Sequence, residues 1–274
     1  MTLARWFPKR LLHRLPDTHK GDYGHVLVVG GSVGMIGAPI LCAQGALRSG
    51  AGRVSLIVPD RVYPMVASQA PWELMVHPVS RLEAIWGKAD VVALGPGLSR
   101  LPYAQRLAHR LLQDLHGPAV VDADGLAALK RLSPKRLKYG VVITPHPGEM
   151  ADLLQTSVSR IQADRRGIAQ EVARRWGVVV VLKGHRTVVA SPSGPCVVNP
   201  TGNPGMATAG MGDVLTGVIA ALMGQGLDPF LAARVGVYLH GLAGDLAKAK
   251  LGEISLIASD LVDHLPDAFQ RALA

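Results

Sequence analysis

The feature that most constrains this chain is a regular alternation, beginning at Lys20-Gly21, of short β-branched runs with longer Ala/Leu/Arg segments punctuated by Gly and Pro. The runs are HVLVVGG (from His25), RVSLIV (Arg53), DVVALG (Asp90), PAVVDA (Pro118), VVIT (Val141) and VVVVLKG (Val178). They are continuously apolar and do not alternate with polar residues, the pattern of strands buried on both faces. Helical stretches lie between them, including residues 39–50 and 101–115, and Pro39 suits a first helical turn, where a missing N–H costs nothing. Strand–helix alternation of this kind predicts an α/β fold with a mostly parallel central sheet and helices on both faces. TVVAS (Thr187) and CVVN (Cys196), separated by PSGP, predict an antiparallel edge hairpin. After Thr201 a Gly-rich loop leads into apolar helices over 214–223, 229–251 and 259–273. With no linker or repeat in view, the expected organisation is a basic arm over 1–20 and one domain over 21–274.

Composition narrows the function. Two distant cysteines, Cys42 and Cys196, offer no CxxC pair and suit a reducing cytosol. At 4% aromatic the chain is poorly equipped for base stacking on single-stranded nucleic acid. The net charge of +9 favours anionic ligands, but its concentration in 5–20 and 130–138 reads as solubilising surface, and the cations of 160–175 as a solvated helix face, with no nucleic-acid stripe. No apolar run approaches the ~18 residues of a membrane span. The N-terminus has no apolar core of a secretory signal, and although Arg-rich it lacks serine before Ser32, so a cytoplasmic location is expected.

In open parallel sheets, ligands bind beyond the carboxyl ends of the strands. Those positions here are Gly30-Gly31-Ser32, Gly95-Pro96-Gly97, Asp122-Ala123-Asp124-Gly125, Thr144 to Glu149 and Lys183-Gly184. Glycines at 30, 31, 34 and 37 do not make GxGxxG, and no GxxxxGK[ST] occurs, so the dinucleotide fingerprint and the P-loop are both excluded. The most informative stretch is GNPGMATAGMGD, from Gly202 to Asp213, running directly into an apolar helix. Its glycines allow close backbone approach, and a helix N-terminus favours a phosphate. Asp213 is out of place beside a phosphate unless it accepts a proton from an attacking hydroxyl; the alternative is a helix cap. Lys183 either pairs with phosphates or snorkels from a strand end. His146 and Glu149, in a turn fixed by two prolines, either serve one cleft, with Glu149 toward a magnesium-bound water, or are structural. Asp122 and Asp124 divide between facing the cleft and capping the next helix.

KGDYGHVLVVGGS, GAPILCAQGALRSGAG, LGPGLS, VDADGL, TPHPGEM, VLKGHRTVV and NPTGNPGMATAGMGDVLTG together resemble the ADP/ATP-dependent NAD(P)H-hydrate dehydratases, a family of ribokinase-like fold. The resemblance runs in order from Lys20 to HGLAGD (from His240) and ASDL (from Ala258). It implies repair of NADHX and NADPHX, nicotinamide cofactors hydrated on the ring: a nucleotide phosphorylates the ring hydroxyl of the S epimer, and loss of phosphate regenerates NAD(P)H. Bacterial-type members use ADP and release AMP and phosphate. By motif, Asp213 would be the base and the amides of Gly210, Met211 and Gly212 the anion hole. Lys183, Gly184, His185, Arg186, Thr187 and Gly212 would bind the nucleotide. Gly37 or Ala38, Gly97, His146 and Asp213 would line the hydrate pocket, with Mg2+ held through water by Glu149. Met211, Ser99 and Met35-Ile36 depart from the family pattern, which bears on affinity and pocket shape. The resemblance further implies a homotetramer and, since only about 20 residues precede Lys20, an epimerase activity that comes from another chain or is absent. The rival expectations are a small-molecule kinase of the same fold acting on a thiazole or hydroxymethylpyrimidine alcohol, which would place Asn at His146, and a non-catalytic dinucleotide-binding regulator, which would gain nothing from Asp213.

Overall fold

The computed structural model describes residues 14–130, 132, 137 and 140–274. The expected basic arm ahead of Arg14, and most of the 130–138 cluster, lie outside them. In chain order, β1 (His25–Val29), α1 (Gly37–Arg48), β2 (Arg53–Val58), α2 (Tyr63–Gln69) and β3 (Met75–Pro78) come first. They are followed by α3 (Leu82–Trp86), β4 (Val91–Leu94), α4 (Pro102–Gln113), β5 (Ala119–Val121), α5 (Asp124–Leu129) and β6 (Val141–Ile143). Next are α6 (Pro147–Leu154), α7 (Val158–Ala163), α8 (Arg165–Trp176), β7 (Val179–Leu182), β8 (Val188–Ala190) and β9 (Cys196–Val198). Helices α9 (Met211–Gly224), α10 (Pro229–Leu251) and α11 (Ala258–Leu273) complete the chain.

The strands form one sheet in the order β3-β2-β1-β4-β5-β6-β7-β8-β9. Pairing is parallel from β3 to β7 and antiparallel through the β8–β9 hairpin at one edge. Residues along each central strand are divided between two cores. Val26 and Val28 pack with α1, α9, α10 and α11 on one face, and Leu27 and Val29 with α4, α5, α6 and α8 on the other. Burial on both faces is why these strands read as unbroken apolar runs.

Three elements differ from the sequence expectation. Strand β3, at the opposite edge, was not expected, because Met75–Pro78 is short, half exposed and carries His77 and Pro78. The cationic stretch 160–175 is two helices, broken at Asp164, whose carboxylate caps α8 by accepting the Gly167 N–H at 2.8 Å. The helix expected from Val214 begins at Met211, so the last three residues of the expected loop form its first turn.

The chain moves outward from β1 to β3 and then returns to β4 on the other side of β1, and such a switch opens a crevice at the strand ends. Across it the Gly31 N–H donates to the Pro96 carbonyl at 2.9 Å and the Ser32 hydroxyl to the Gly97 carbonyl at 2.8 Å. Helices α1 and α9 both start at this edge and pack backbone to backbone. A Cβ at Gly217 of α9 would lie 1.8 Å from the Cys42 carbonyl oxygen of α1, which only glycine permits.

Candidate active site

The site is built around the start of α9. Gly210 is its N-cap, at φ 90°, a left-handed conformation, and no side chain caps the helix. A Cβ there would sit 2.6 Å from Leu41 Cδ1 and 2.9 Å from Ala258 Cβ, so α1 and α11 hold the turn closed. The N–H groups of Met211, Gly212 and Asp213 have no carbonyl one turn earlier to bond, and the helix dipole adds partial positive charge. The Met211 side chain is buried in the core, so only its backbone can contribute.

Asp213 is the third residue of α9 and makes no cap bond, which sets the capping alternative aside. Its pKa is pushed up to about 7, by burial first and then by repulsion from Asp122; Lys183 pulls the other way, and Glu149 and Asp124 add further repulsion. A carboxyl that is half ionised near neutrality can accept a proton and later release it.

Lys183, at the end of β7, does not snorkel into solvent. Its ammonium lies 2.6 Å from Asp122 Oδ1 and 3.7 Å from Glu149 Oε2, and would be 3.2 Å from a Cβ at Gly212. Burial opposes its charge, but Asp122, Glu149 and Asp213 outweigh that, so its pKa stands above the usual lysine value. Asp122 is fully buried, and its second oxygen accepts the Thr216 hydroxyl at 2.8 Å. Thr216 was not singled out as a site residue, although a lone hydroxyl in an otherwise apolar helix is the signal that could have found it.

His146 and Glu149 lie not in a turn but at the start of α6, locked in a reciprocal cap. His146 Nδ1 accepts the Gly148 and Glu149 N–H groups at 3.0 and 3.2 Å, and Glu149 Oε2 accepts the His146 N–H at 2.7 Å. With Nδ1 an acceptor, the neutral ring carries its proton on Nε2, 3.4 Å from Glu149 Oε1. Asp124, expected as a possible cap, instead accepts the Ser99 N–H at 2.8 Å and fixes the loop after β4. That loop meets the entry to α1: a Cβ at Gly97 would be 3.1 Å from Ala38 Cβ and 2.5 Å from the Met35 carbonyl oxygen, while Gly37 faces open space.

Of the expected nucleotide-binding residues, Lys183 and Gly212 adjoin Asp213, whereas Gly184, His185 and Arg186 form an exposed loop between β7 and β8. The Thr187 hydroxyl is turned back onto the Gly184 carbonyl at 3.0 Å. Arg165 of α8, expected only among the cations of a solvated helix face, instead holds this loop by donating to the carbonyls of Leu182 at 3.0 Å, Lys183 at 3.1 Å and His185. Among the described residues no three His, Cys, Asp or Glu side chains are grouped to hold a metal ion. The carboxylates of Glu149 and Asp213 beside free amides fit a cation that arrives on nucleotide phosphates and keeps much of its water. Among the described residues no helix is long and apolar enough to cross a membrane.

A family profile described as NAD(P)H-hydrate dehydratase matches residues 26–267. A bifunctional NAD(P)H-hydrate repair enzyme of Moorella thermoacetica is 48% identical over 96% of this chain and 52% of its own length, so the chain spans about half of that relative. An ADP-dependent (S)-NAD(P)H-hydrate dehydratase of Bacillus subtilis is 35% identical over 99% of each chain. A crystal structure of the ADP/ATP-dependent NAD(P)H-hydrate dehydratase from B. subtilis, co-crystallised with ATP and Mg2+, superposes with a TM-score of 0.86 at 34% identity, covering 97% of this chain and 98% of that one. The three-layer fold is thus the ribokinase-like one that the motifs implied.

Proposed function

Because the chain belongs to the NAD(P)H-hydrate dehydratase family, we propose that it dehydrates the S epimers of NADHX and NADPHX at the expense of ADP or ATP, restoring NADH and NADPH. The observation that carries this reading is Asp213, the third residue of α9, whose pKa is pushed up to about 7 beside the first-turn amides of that helix. The Asp213 carboxylate takes the proton of the ring hydroxyl, and the freed oxygen bonds to the terminal phosphorus. The phosphorus–oxygen bond to the leaving nucleotide breaks, releasing AMP when the donor is ADP. Cleavage of the ring carbon–oxygen bond then expels phosphate, and loss of a proton from the neighbouring carbon restores the ring double bond.

The amides from Gly210 to Gly212 stabilise charge on the transferred group, where preorganised donors act without reorganising. Lys183, Gly184, His185, Arg186 and Thr187 hold the nucleotide, and Gly37, Ala38, Gly97 and His146, through its Nε2–H, line the hydrate pocket. Magnesium on the phosphates supplies charge neutralisation, with Glu149 holding it through water. The reading carries with it a homotetramer, an epimerase that supplies the S epimer, and work in the cytoplasm, which the two unpaired cysteines suit.

Purified protein given (S)-NADHX, magnesium and either ADP or ATP is expected to restore the reduced-nicotinamide absorbance. Asp213→Asn should still bind both substrates while losing on the order of a hundred- to ten-thousandfold in turnover. No recovery with either nucleotide refutes the reading. A stable phosphate ester formed from a thiazole or pyrimidine alcohol would identify a kinase instead.

A further inference from the structure

One buried titratable group near the site has no part in the mechanism above. His240, on α10, is 8% exposed, and its Nε2 lies 2.8 Å from the carbonyl oxygen of Met211. The carbonyl can only accept, so the imidazole donates and its proton is on Nε2. As the first residue of α9, Met211 already offers that carbonyl to the helical bond from Leu215, and an apolar residue at 240 would leave no helical acceptor orphaned. Burying an imidazole is costly unless its bond is useful. The Met211–Gly212 peptide is trans, so its C=O and N–H point in opposite directions. A donor fixed on the carbonyl therefore also fixes where the Gly212 N–H points, and by polarising the peptide it makes that N–H a stronger donor.

We infer that His240 is a positioning residue for the anion hole, orienting and polarising the Met211–Gly212 peptide so that the Gly212 N–H meets the transferred phosphoryl group. The inference rests on the phosphoryl transfer proposed above. Burial pushes the pKa of His240 down to about 4, so the ring is neutral near pH 7 and acts as a dipole that leaves the charge balance around Asp213 untouched. The same helix ties down the approach to the turn: Asp245 accepts the Gly202 N–H and the Asn203 side-chain amide, each at 3.0 Å. His240 is the member of that scaffold that reaches the turn itself.

The test compares the wild type with His240→Met, which keeps the volume and loses the donor, and His240→Gln, whose amide can still donate to Met211. Two assays are run: titration calorimetry for the Kd of inorganic phosphate, and the hydrate assay for kcat and both KM values. The Met variant is expected to bind phosphate roughly tenfold more weakly and to lose roughly tenfold or more in kcat, with the KM for the hydrate within about threefold of wild type. The Gln variant should recover most of both losses, which a merely structural role would not produce at an unchanged thermal midpoint. Equal phosphate affinity in all three proteins overturns the inference, as does a wild type that binds no phosphate. A wild type that binds phosphate but does not turn over would refute the proposed reaction alone and leave the phosphate comparison to decide the role of His240. Should the Met variant not fold, His240→Asn, whose amide falls short of the Met211 oxygen, replaces it.

Discussion

Asp213→Asn separates the charge of the site from its chemistry, because it can be read in the unliganded protein. In the folded chain the carboxyl titrates at about 7, against 3.8 for an unperturbed aspartate, so the native state holds its proton more tightly than the unfolded state does. Stability from this source is therefore complete at low pH and is lost as pH rises through 7. Between pH 5 and pH 8.5 the loss spans about two pH units below the folded pKa, which at ~1.4 kcal/mol per unit comes to about 3 kcal/mol. Asparagine does not titrate and loses nothing. For a chain of 274 residues, an unfolding entropy of ~2.1 cal/mol/K per residue converts that into a difference of roughly 5 °C.

The assay is calorimetric melting of both proteins at pH 5 and pH 8.5 at one ionic strength. The midpoint of Asp213→Asn minus that of the wild type is expected to be about 5 °C larger at pH 8.5 than at pH 5. Groups that do not interact with residue 213 are common to the two proteins and cancel in that double difference. A difference that is flat with pH, or that grows on acidification, would mean that Asp213 ionises as an ordinary surface carboxylate, and the account of it as a base poised at neutrality would fail.

Two further perturbations address what holds the site together. Lys183→Met leaves Asp122 buried and unpaired, since the two side chains are 17% and 1% exposed, and should cost about 3 kcal/mol or more, read as a lower thermal midpoint. Adding Asp122→Asn should then cost less than its effect in the wild type, and strict additivity of the two would show that the pair is not coupled. Gly217→Ala places a methyl group 1.8 Å from the Cys42 carbonyl and should destabilise by about 3 kcal/mol or block folding, whereas Gly87→Ala, which meets nothing within 4 Å, should stay within about 0.5 kcal/mol. Similar midpoints for the two glycine variants would contradict the backbone-to-backbone seating of α9 on α1.

The parts of this molecule that could be read from its sequence are those whose cause is local. Val26 to Val29 form a strand because every side chain in the run is buried, and the same condition recurs in β4, β5, β6 and β7, and in β2 after Arg53. Strand β3 escaped because an edge strand is not required to be apolar on both faces, and Met75–Pro78 is not. His146 and Glu149 were identified as a pair by their three-residue spacing. That spacing is equally that of a helix cap, and only the backbone bonds reveal that the cap is what sets the tautomer of His146.

The electrostatics of the site are a different matter, because they depend on partners that sequence distance conceals. Asp122 finds Lys183 61 positions away and Thr216 94 positions away, and Met211 finds His240 29 positions away. None of these separations is a signal in itself. They become short because β5, β7 and α9 all end or begin at one edge of a parallel sheet, so residues just past those ends must converge. The rule for strand ends thus selects Asp122 and Lys183 without their pairing, and the Gly-rich loop before an apolar helix selects Asp213; neither reaches Thr216 or Arg165, which sit one helical turn or one layer behind that edge. Those two residues bond to groups at the site without facing the cleft: Thr216 to Asp122, and Arg165 to the carbonyls of the 182–185 loop. A residue whose work is to hold another one carries no mark of its own in the sequence, because what defines it is the geometry of its neighbour.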